Sequence, residues 1–272
     1  MARMTNRAAA FRALHTAADP LVLVNAWDAA SARIVAASGA PAVATTSAGV
    51  AWTLGAPDGD TLPREQALEH LARIVRAVPG ELPVTADIES GFGATPADVA
   101  ETIRGVLAAG AVGVNIEDTA RANNEAGLRD VAGQQARIAA ARAAADDAGV
   151  DLYINARVDT YFRGRPEETV ERAEAYLAAG ATGIFVPGVA DPATIGALAK
   201  AIPAPLNVLA QPGTPTVAEL AALGVARVSL GSWIAEAAYA LARKAAREAY
   251  TAGTYTSLAD SYDFGELNEL MG

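Results

Sequence analysis

The chain has 272 residues, of which 52% are hydrophobic and 19% charged, enough apolar material for one large core and more than a small domain needs. Its formal charge of −10 opposes nucleic-acid binding, because phosphate contacts need clustered Lys and Arg and no such stripe occurs. The lack of cysteine removes disulfides, thiolate metal sites and thiol nucleophiles; with no apolar run of ~18 residues and no signal-peptide core in Met1 to Arg12, a cytoplasmic protein without a membrane contact is expected.

Along the chain, short β-branched runs alternate with Ala-rich amphipathic stretches. Strands are predicted at 21–25, 42–46, 83–87, 113–117, 152–157, 183–187, 206–210 and 227–230, each followed by a helix: 28–38, 64–78, 96–109, 132–148, 167–179, 192–200, 216–222 and 232–251. Eight βα units in this length predict a (β/α)8 TIM barrel over residues 1–252. A weak repeat supports the count: ASGAPAVATT, LAAGAVGVNIE, LAAGATGIFVP and ALGVARVSLG each run from a helix end through a glycine into a strand, the glycine supplying a left-handed helix stop.

Seven residues beyond Gly39, Gly80, Gly110, Gly180 and Gly224 stand Thr46, Asp87, Glu117, Pro187 and Gly231, which the count places at one level, at the carboxyl ends of strands. Active sites of this fold form there. From Gly149 the count stops one short of Arg157, which is expected near the rim. Ser47 to Pro63 and Asp118 to Val131 are longer than ordinary βα loops and suit ligand clamps. The tail, 253–272, carries Tyr255, Tyr262 and Phe264 and is expected to pack on the barrel or on a neighbouring subunit.

TADIESGFG ends the third strand with Asp87 and Glu89, and VNIED ends the fourth with Glu117 and Asp118. Adjacent strands lie ~4.8 Å apart, so carboxylates at one level repel unless a cation or proton lies between them. Oxygen ligands without His or Cys favour Mg²⁺, or Mn²⁺, over Zn²⁺; Asp58 is a further candidate ligand through water. Pairing with arginine is the competing reading for each single acid, and Asp118 reads equally as a loop cap. Arg157 brings a guanidinium fork suited to a carboxylate or phosphoryl group, or else neutralises Glu117 or Asp159. Thr46, Ser47, Ala48 and Gly49 read as a turn whose N–H groups approach an anion, and Asn207 as a carboxylate-binding amide or a turn cap.

Lys200 and Lys244 fall on predicted helices, which opposes a Schiff-base aldolase. His15 and His70 do likewise, which opposes a His-dependent triad or zinc site. GFGATP is only a partial glycine-rich motif and reads as a turn into the helix at 96–109.

Taken together, NAWDAASARIVAASG, TSAGVAWTLGAPDG, VTADIESGFG, VNIED, INARVD and IFVPG resemble the isocitrate lyase and phosphoenolpyruvate mutase superfamily, from about Leu21 to Trp233. The resemblance implies a Mg²⁺-dependent barrel acting on small 2-oxo or enolpyruvyl acids through an enolate-type intermediate. It implies Asp87 as direct metal ligand, with Glu89, Asp58 and Glu117 acting through water or from behind. Thr46, Ser47 and Ala48 fall on its substrate-carboxylate turn, Arg157 on its substrate-binding arginine and Asn207 near a carboxylate-binding asparagine. It also implies dimers or tetramers that exchange the last helix.

The loop EDTARANNEAG departs from the superfamily's pattern. Glu125 stands where the K-R-C-G motif of the lyases has its acid/base Cys, which argues against isocitrate or methylisocitrate cleavage. Arg121, Asn123, Asn124 and Glu125 replace the P-K-x-N gate of the phosphonate enzymes. The leading expectation is a C–C lyase or decarboxylase of an oxaloacetate-like 2-oxo dicarboxylate, which needs no acid/base from that loop. The alternatives are a P–C phosphomutase or hydrolase acting on phosphoenolpyruvate or phosphonopyruvate, and a barrel that binds 2-oxo acids without turnover.

Overall fold

The structure, a computed structural model, describes residues 2–122 and 125–272. Its strands are β1 (Leu21–Leu23), β2 (Asn25–Ala26), β3 (Val43–Thr45), β4 (Val84–Asp87), β5 (Gly113–Glu117), β6 (Thr119–Ala122), β7 (Glu125–Leu128), β8 (Tyr153–Arg157), β9 (Gly183–Val186), β10 (Leu206–Leu209) and β11 (Arg227–Ser229). Its helices are α1 (Ala2–Ala13), α2 (Ala29–Ala37), α3 (Ser47–Thr53), α4 (Arg64–Ala77), α5 (Pro96–Ala109), α6 (Val131–Asp147), α7 (Thr169–Ala178), α8 (Pro192–Ala201), α9 (Val217–Ala222), α10 (Trp233–Thr251) and α11 (Phe264–Met271).

All strands but β6 and β7 form one parallel sheet, in the order β1-β11-β10-β9-β8-β5-β4-β3-β2. Its two ends are consecutive pieces of chain, so the predicted first strand is split at Val24 and one half pairs with the last strand, the other with the second. Asn25 stitches this seam: its side chain donates to Thr45 O at 2.8 Å and accepts from Gly231 N at 2.8 Å and Leu230 N at 3.1 Å. The sheet thereby closes as a (β/α)8 barrel.

The helices that follow strands β4, β5 and β8 pack apolar faces against the barrel. In α5, Val99, Ile103, Val106 and Leu107 are buried, the three- and four-residue spacing of one face. Thr95 and Asp98 cap its start reciprocally, and Gly110 in the left-handed conformation (φ 98°) ends it, as the glycine repeat predicts.

Five elements lie outside the predicted set: α1, α3, β6, β7 and α11. α1 seals the amino-terminal end of the barrel with Ala8 and Phe11, both fully buried. His15, just past α1 rather than on a helix, stacks on Tyr153 with ring centroids 3.8 Å apart. α3 occupies the first half of the predicted loop Ser47 to Pro63, and β6 and β7 form an antiparallel hairpin within the loop after β5. α11 lies beside α2, whose Arg33 donates to Leu270 O at 2.8 Å.

The lumen is polar along much of its length. Asn155 on β8 donates to Asn115 on β5 at 2.9 Å and to Asn207 on β10 at 3.0 Å, and Arg227 on β11 donates to Asn115 at 3.2 Å. Two of these bonds join strands that are not neighbours, so they cross the barrel interior. Among the described residues no helix is long and apolar enough to cross a membrane.

Candidate active site

The register corrects the expected level of the acids. Asp87 pairs with Asn115, and Glu117 pairs with Arg157, one two-residue step nearer the mouth. Glu117 N instead donates to Glu89 O at 2.9 Å beyond the end of β4. Closing a barrel staggers its strands, so equal distance from a glycine is not equal height. The acids still gather at one side of the mouth.

Asp87 ends β4 with its amide donating to Thr45 Oγ1 at 2.9 Å. Its carboxylate accepts from Ser47 N at 3.2 Å and Glu89 N at 3.4 Å. Burial raises its pKa; Arg157 and the Ser47 amide oppose the rise, and Asp58 adds to it. Glu89 is 2% exposed. One of its oxygens accepts the Asp60 amide, and the other, Oε1, is buried without a partner. Burial carries its pKa up to about 8, the Asp60 amide opposes this, and Asp58, Asp60 and Asp87 push it further.

Glu117 is likewise raised by burial, against Arg157 and with the repulsion of Asp159 and Asp87. Asp58 is exposed and acts on Asp87 and Glu89 by charge alone among the described contacts. A cavity of about 20 Å³, whose lining includes Ser47, Leu62, Leu71 and Phe92, adjoins Asp87 and Glu89. It has room for one water.

Arg157 is one-fifth exposed, bonded to Glu117 at 3.0 Å and to Asp159 at 2.7 Å. Burial disfavours its charge, but Glu117, Asp159 and Asp87 outweigh burial and raise its pKa. Its guanidinium lies 5.9 Å from the ring centroids of both Phe162 and Phe185. The neutralising role is thus present, and the exposed part of the fork remains at the mouth.

Three expectations change. Thr46 to Gly49 is not an open turn: Thr46 precedes α3, Ser47 and Ala48 begin it, and Ser47 N is directed at Asp87. Asn207 is 1% exposed; its oxygen accepts from Asn155 and Ser229, and its amide donates to Val208 O at 2.8 Å and Arg227 O at 3.2 Å. That leaves Asn207 nothing for a ligand. Asp118 caps a loop, but the one after the neighbouring strand and from full burial: it accepts from Asp159 N at 2.9 Å, Tyr176 Oη at 2.8 Å and Arg172 at 3.3 Å. It ties both loops beside the mouth to α7.

Sequence reasoning gave no role to Asp60, which bonds both Glu89 and Ser90, or to Thr45. The D-G-D turn at 58–60 was the available signal. Asp159, reached from Arg157 by alternation, holds that guanidinium. Asn123 and Asn124 lie outside the described residues, and Arg121 and Glu125 belong to the hairpin strands.

Among the described residues no three His, Cys, Asp or Glu side chains form a cage for a metal ion. Mg²⁺, however, takes one or two carboxylates and fills its remaining positions with water and substrate. An unpartnered buried oxygen on Glu89, mutual repulsion of Asp87 and Glu89, and a water-sized space against both suit that arrangement.

The sequence profile of the phosphoenolpyruvate phosphomutase family matches residues 11–250. A solved Burkholderia cenocepacia protein, provisionally named a phosphonomutase, is 51% identical, with a TM-score of 0.82 over 88% of this chain and 98% of its own. The 2-methylisocitrate lyase of Escherichia coli is 31% identical over 72% of this chain and 67% of its own length. An oxaloacetate acetylhydrolase solved with its product oxalate is 25% identical, with a TM-score of 0.87 over 99% of this chain and 94% of its own.

Proposed function

The chain belongs to the phosphoenolpyruvate phosphomutase family, within a superfamily of lyases and mutases, and from that premise we propose that it is a Mg²⁺-dependent lyase or decarboxylase of a small, oxaloacetate-like 2-oxo dicarboxylate. The observation that carries the reading is the cluster of Asp87, Glu89 and Glu117 at the barrel mouth, in which Asp87 repels both glutamates and Glu89 keeps a buried oxygen without a partner. Asp87 would hold the ion directly, with Glu89, Glu117 and Asp58 through water; Mn²⁺ would serve the same donors. Bound there, the cation supplies positive charge to the oxyanion that develops as a C–C bond breaks toward an enolate.

The chain's own residues do the rest. Arg157, fixed by Glu117 and Asp159, holds a substrate carboxylate. Ser47 orients Asp87 through its amide, and Thr46 and Ala48 shape the same corner. In the decarboxylation of a 2-oxo dicarboxylate the ionised carboxylate leaves as CO2 and the electron pair of the broken C–C bond stays on the substrate as the enolate. No base is therefore needed from the loop after β5, and the enolate then takes up a proton from solvent; a C–C lyase reaction would in addition need a base to deprotonate a substrate hydroxyl. The name of the oxaloacetate acetylhydrolase supports this substrate class. Incubating the protein with Mg²⁺ and a panel of 2-oxo acids and their aldol adducts, followed by proton NMR, tests it: an oxaloacetate-like acid is consumed, and an unchanged panel overturns the reading.

A P–C bond mutase or hydrolase is the second reading, favoured by the phosphonomutase-like relative at 51% identity. In it Arg157 binds the phosphoryl group. Phosphorus NMR of phosphonopyruvate separates the two, because loss of that signal belongs to the second alone. As for assembly, α10 exposes Trp233, Ile234, Tyr239 and Leu241, which supports dimers or tetramers that exchange this helix; light scattering at the molar mass of a monomer would contradict it.

A further inference from the structure

The turn that carries Glu89 is bent against the ordinary preferences of its residues. Among the described residues, the non-glycine residues with positive φ are Asp60 (57°), Glu89 (51°) and Phe92 (50°). They all meet here, since the Asp60 amide donates to Glu89 and the Asp60 carboxylate accepts from Ser90 N at 3.3 Å. Gly91, between them, has φ 105°, and a Cβ there would lie 2.9 Å from Val99. Left-handed backbone at residues with side chains persists only where the surroundings impose it.

Arg137 on α6 imposes it from behind. This side chain is 1% exposed and, among the described residues, forms no ion pair. One nitrogen, Nη2, donates to Ser90 O at 2.5 Å and to Gly93 O at 2.8 Å, spanning the turn. Thr102 Oγ1 donates to Gly91 O at 2.8 Å, and Glu117 N takes Glu89 O. Arg137 Nε and Nη1 have no partner. A buried cation that satisfies two carbonyls and leaves its other donors idle is a poor stabiliser. Its distinctive effect is on the shape of the turn.

We infer that Arg137 is a positioning residue for the acidic cluster: it touches no ligand and acts through Glu89, by holding the 88–93 turn in the conformation that keeps the Glu89 carboxylate beside Asp87. The inference rests on the metal reading above. Groups that orient the ligands of a metal commonly change its affinity by about 10- to 100-fold when removed, and that range is the expectation here.

The test is Mn²⁺ binding by electron paramagnetic resonance to the wild-type chain, Arg137→Met, Arg137→Lys and Ile138→Val. The last removes one buried methyl group from the same helix and serves as a stability control. Arg137→Met should weaken Mn²⁺ binding by about 10- to 100-fold. Arg137→Lys, whose ammonium can still donate to both carbonyls, should restore most of it, and Ile138→Val should lower the thermal midpoint at unchanged affinity. An Arg137→Met protein that is destabilised but binds Mn²⁺ like wild type overturns the inference. If the wild type itself binds no Mn²⁺, the metal reading falls, and hydrogen exchange decides the rest. Faster exchange of the Ser90 and Gly91 amides in Arg137→Met, beyond the change elsewhere in the core, upholds the positioning role, and exchange unchanged relative to the core overturns it.

Discussion

At the mouth of the barrel, Glu89 and Glu117 are buried and Asp87 partly so, Asp87 repels both glutamates, and Glu89 keeps an oxygen without a partner. Two residues below Glu117 and in register with Asp87, Asn115 joins Asn155, Asn207, Arg227 and Ser229 in a lower tier that is as deeply buried, but whose members bond one another across the lumen. Burial of polar groups is common to the two regions, so burial alone does not mark a site. What separates them is charge: the lower tier is neutral side chains and one guanidinium that bond one another, with Asn155 Oδ1 and Arg227 Nη1 left without a partner, while the mouth concentrates like charges that Arg157 offsets only in part and that an added cation or protons would relieve further.

The largest expected effect that sharpens this contrast is that of Asp87→Asn. Turnover should fall on the order of 10³-fold, the several kcal/mol that a cation contributes to a developing charge, while the metal-free protein gains thermal stability as repulsion is relieved. A loss of both activity and stability would place Asp87 with the structural tier. Asp118 is the counter-case at the mouth itself, a buried carboxylate with every contact taken by Tyr176, Arg172 and the Asp159 amide. Asp118→Ala should cost about 3–5 kcal/mol in urea unfolding, as removal of one partner of a buried pair does.

At the sealed end, His15 gives a pH signature. Burial, aided by the positive charge of Arg227, holds its pKa down at about 3 against an ordinary 6.5. The unfolded chain therefore takes up a proton near pH 6.5 while the folded chain does not, so His15's contribution is intact above that pH and is lost as pH falls from 6.5 toward 3. By pH 5 the loss is about 2 kcal/mol. In His15→Gln the unfolding free energy measured between pH 7 and 5 should lack that slope. The smallest effect on function is that of Asn207→Ala: a lower thermal midpoint, with KM within about a factor of two of wild type, as for sites that do not share partners. A large rise in KM would break the comparison by making the lower tier part of the substrate site.

Much of the barrel was legible because each βα unit repeats the same local chemistry: a helix stripe, a left-handed glycine, then a β-branched run. Asp87 was legible for the same reason, as the last residue of its strand, whereas the glycine count stops one short of Arg157, which was legible as the end of its β-run. The height of Glu117 was not, because stagger between strands is a property of closure and leaves no mark in any one strand. Alternation turns Asn207 inward but does not give its tier, so a ligand role and a network role look alike in sequence. α1 carries scattered arginines, and only docking on Tyr153 and the barrel base makes its few apolar residues a plug. Arg137 reads as a helix-surface residue until its carbonyl partners, more than forty positions away in sequence, are in place.

Proton NMR of oxaloacetate with Mg²⁺, for the wild-type chain, Asp87→Asn and a protein-free Mg²⁺ blank, tests the central claim most directly. The account predicts that the wild type consumes oxaloacetate well above the blank and that Asp87→Asn does not. A wild-type rate equal to the blank, or an Asp87→Asn rate equal to the wild type, would contradict it.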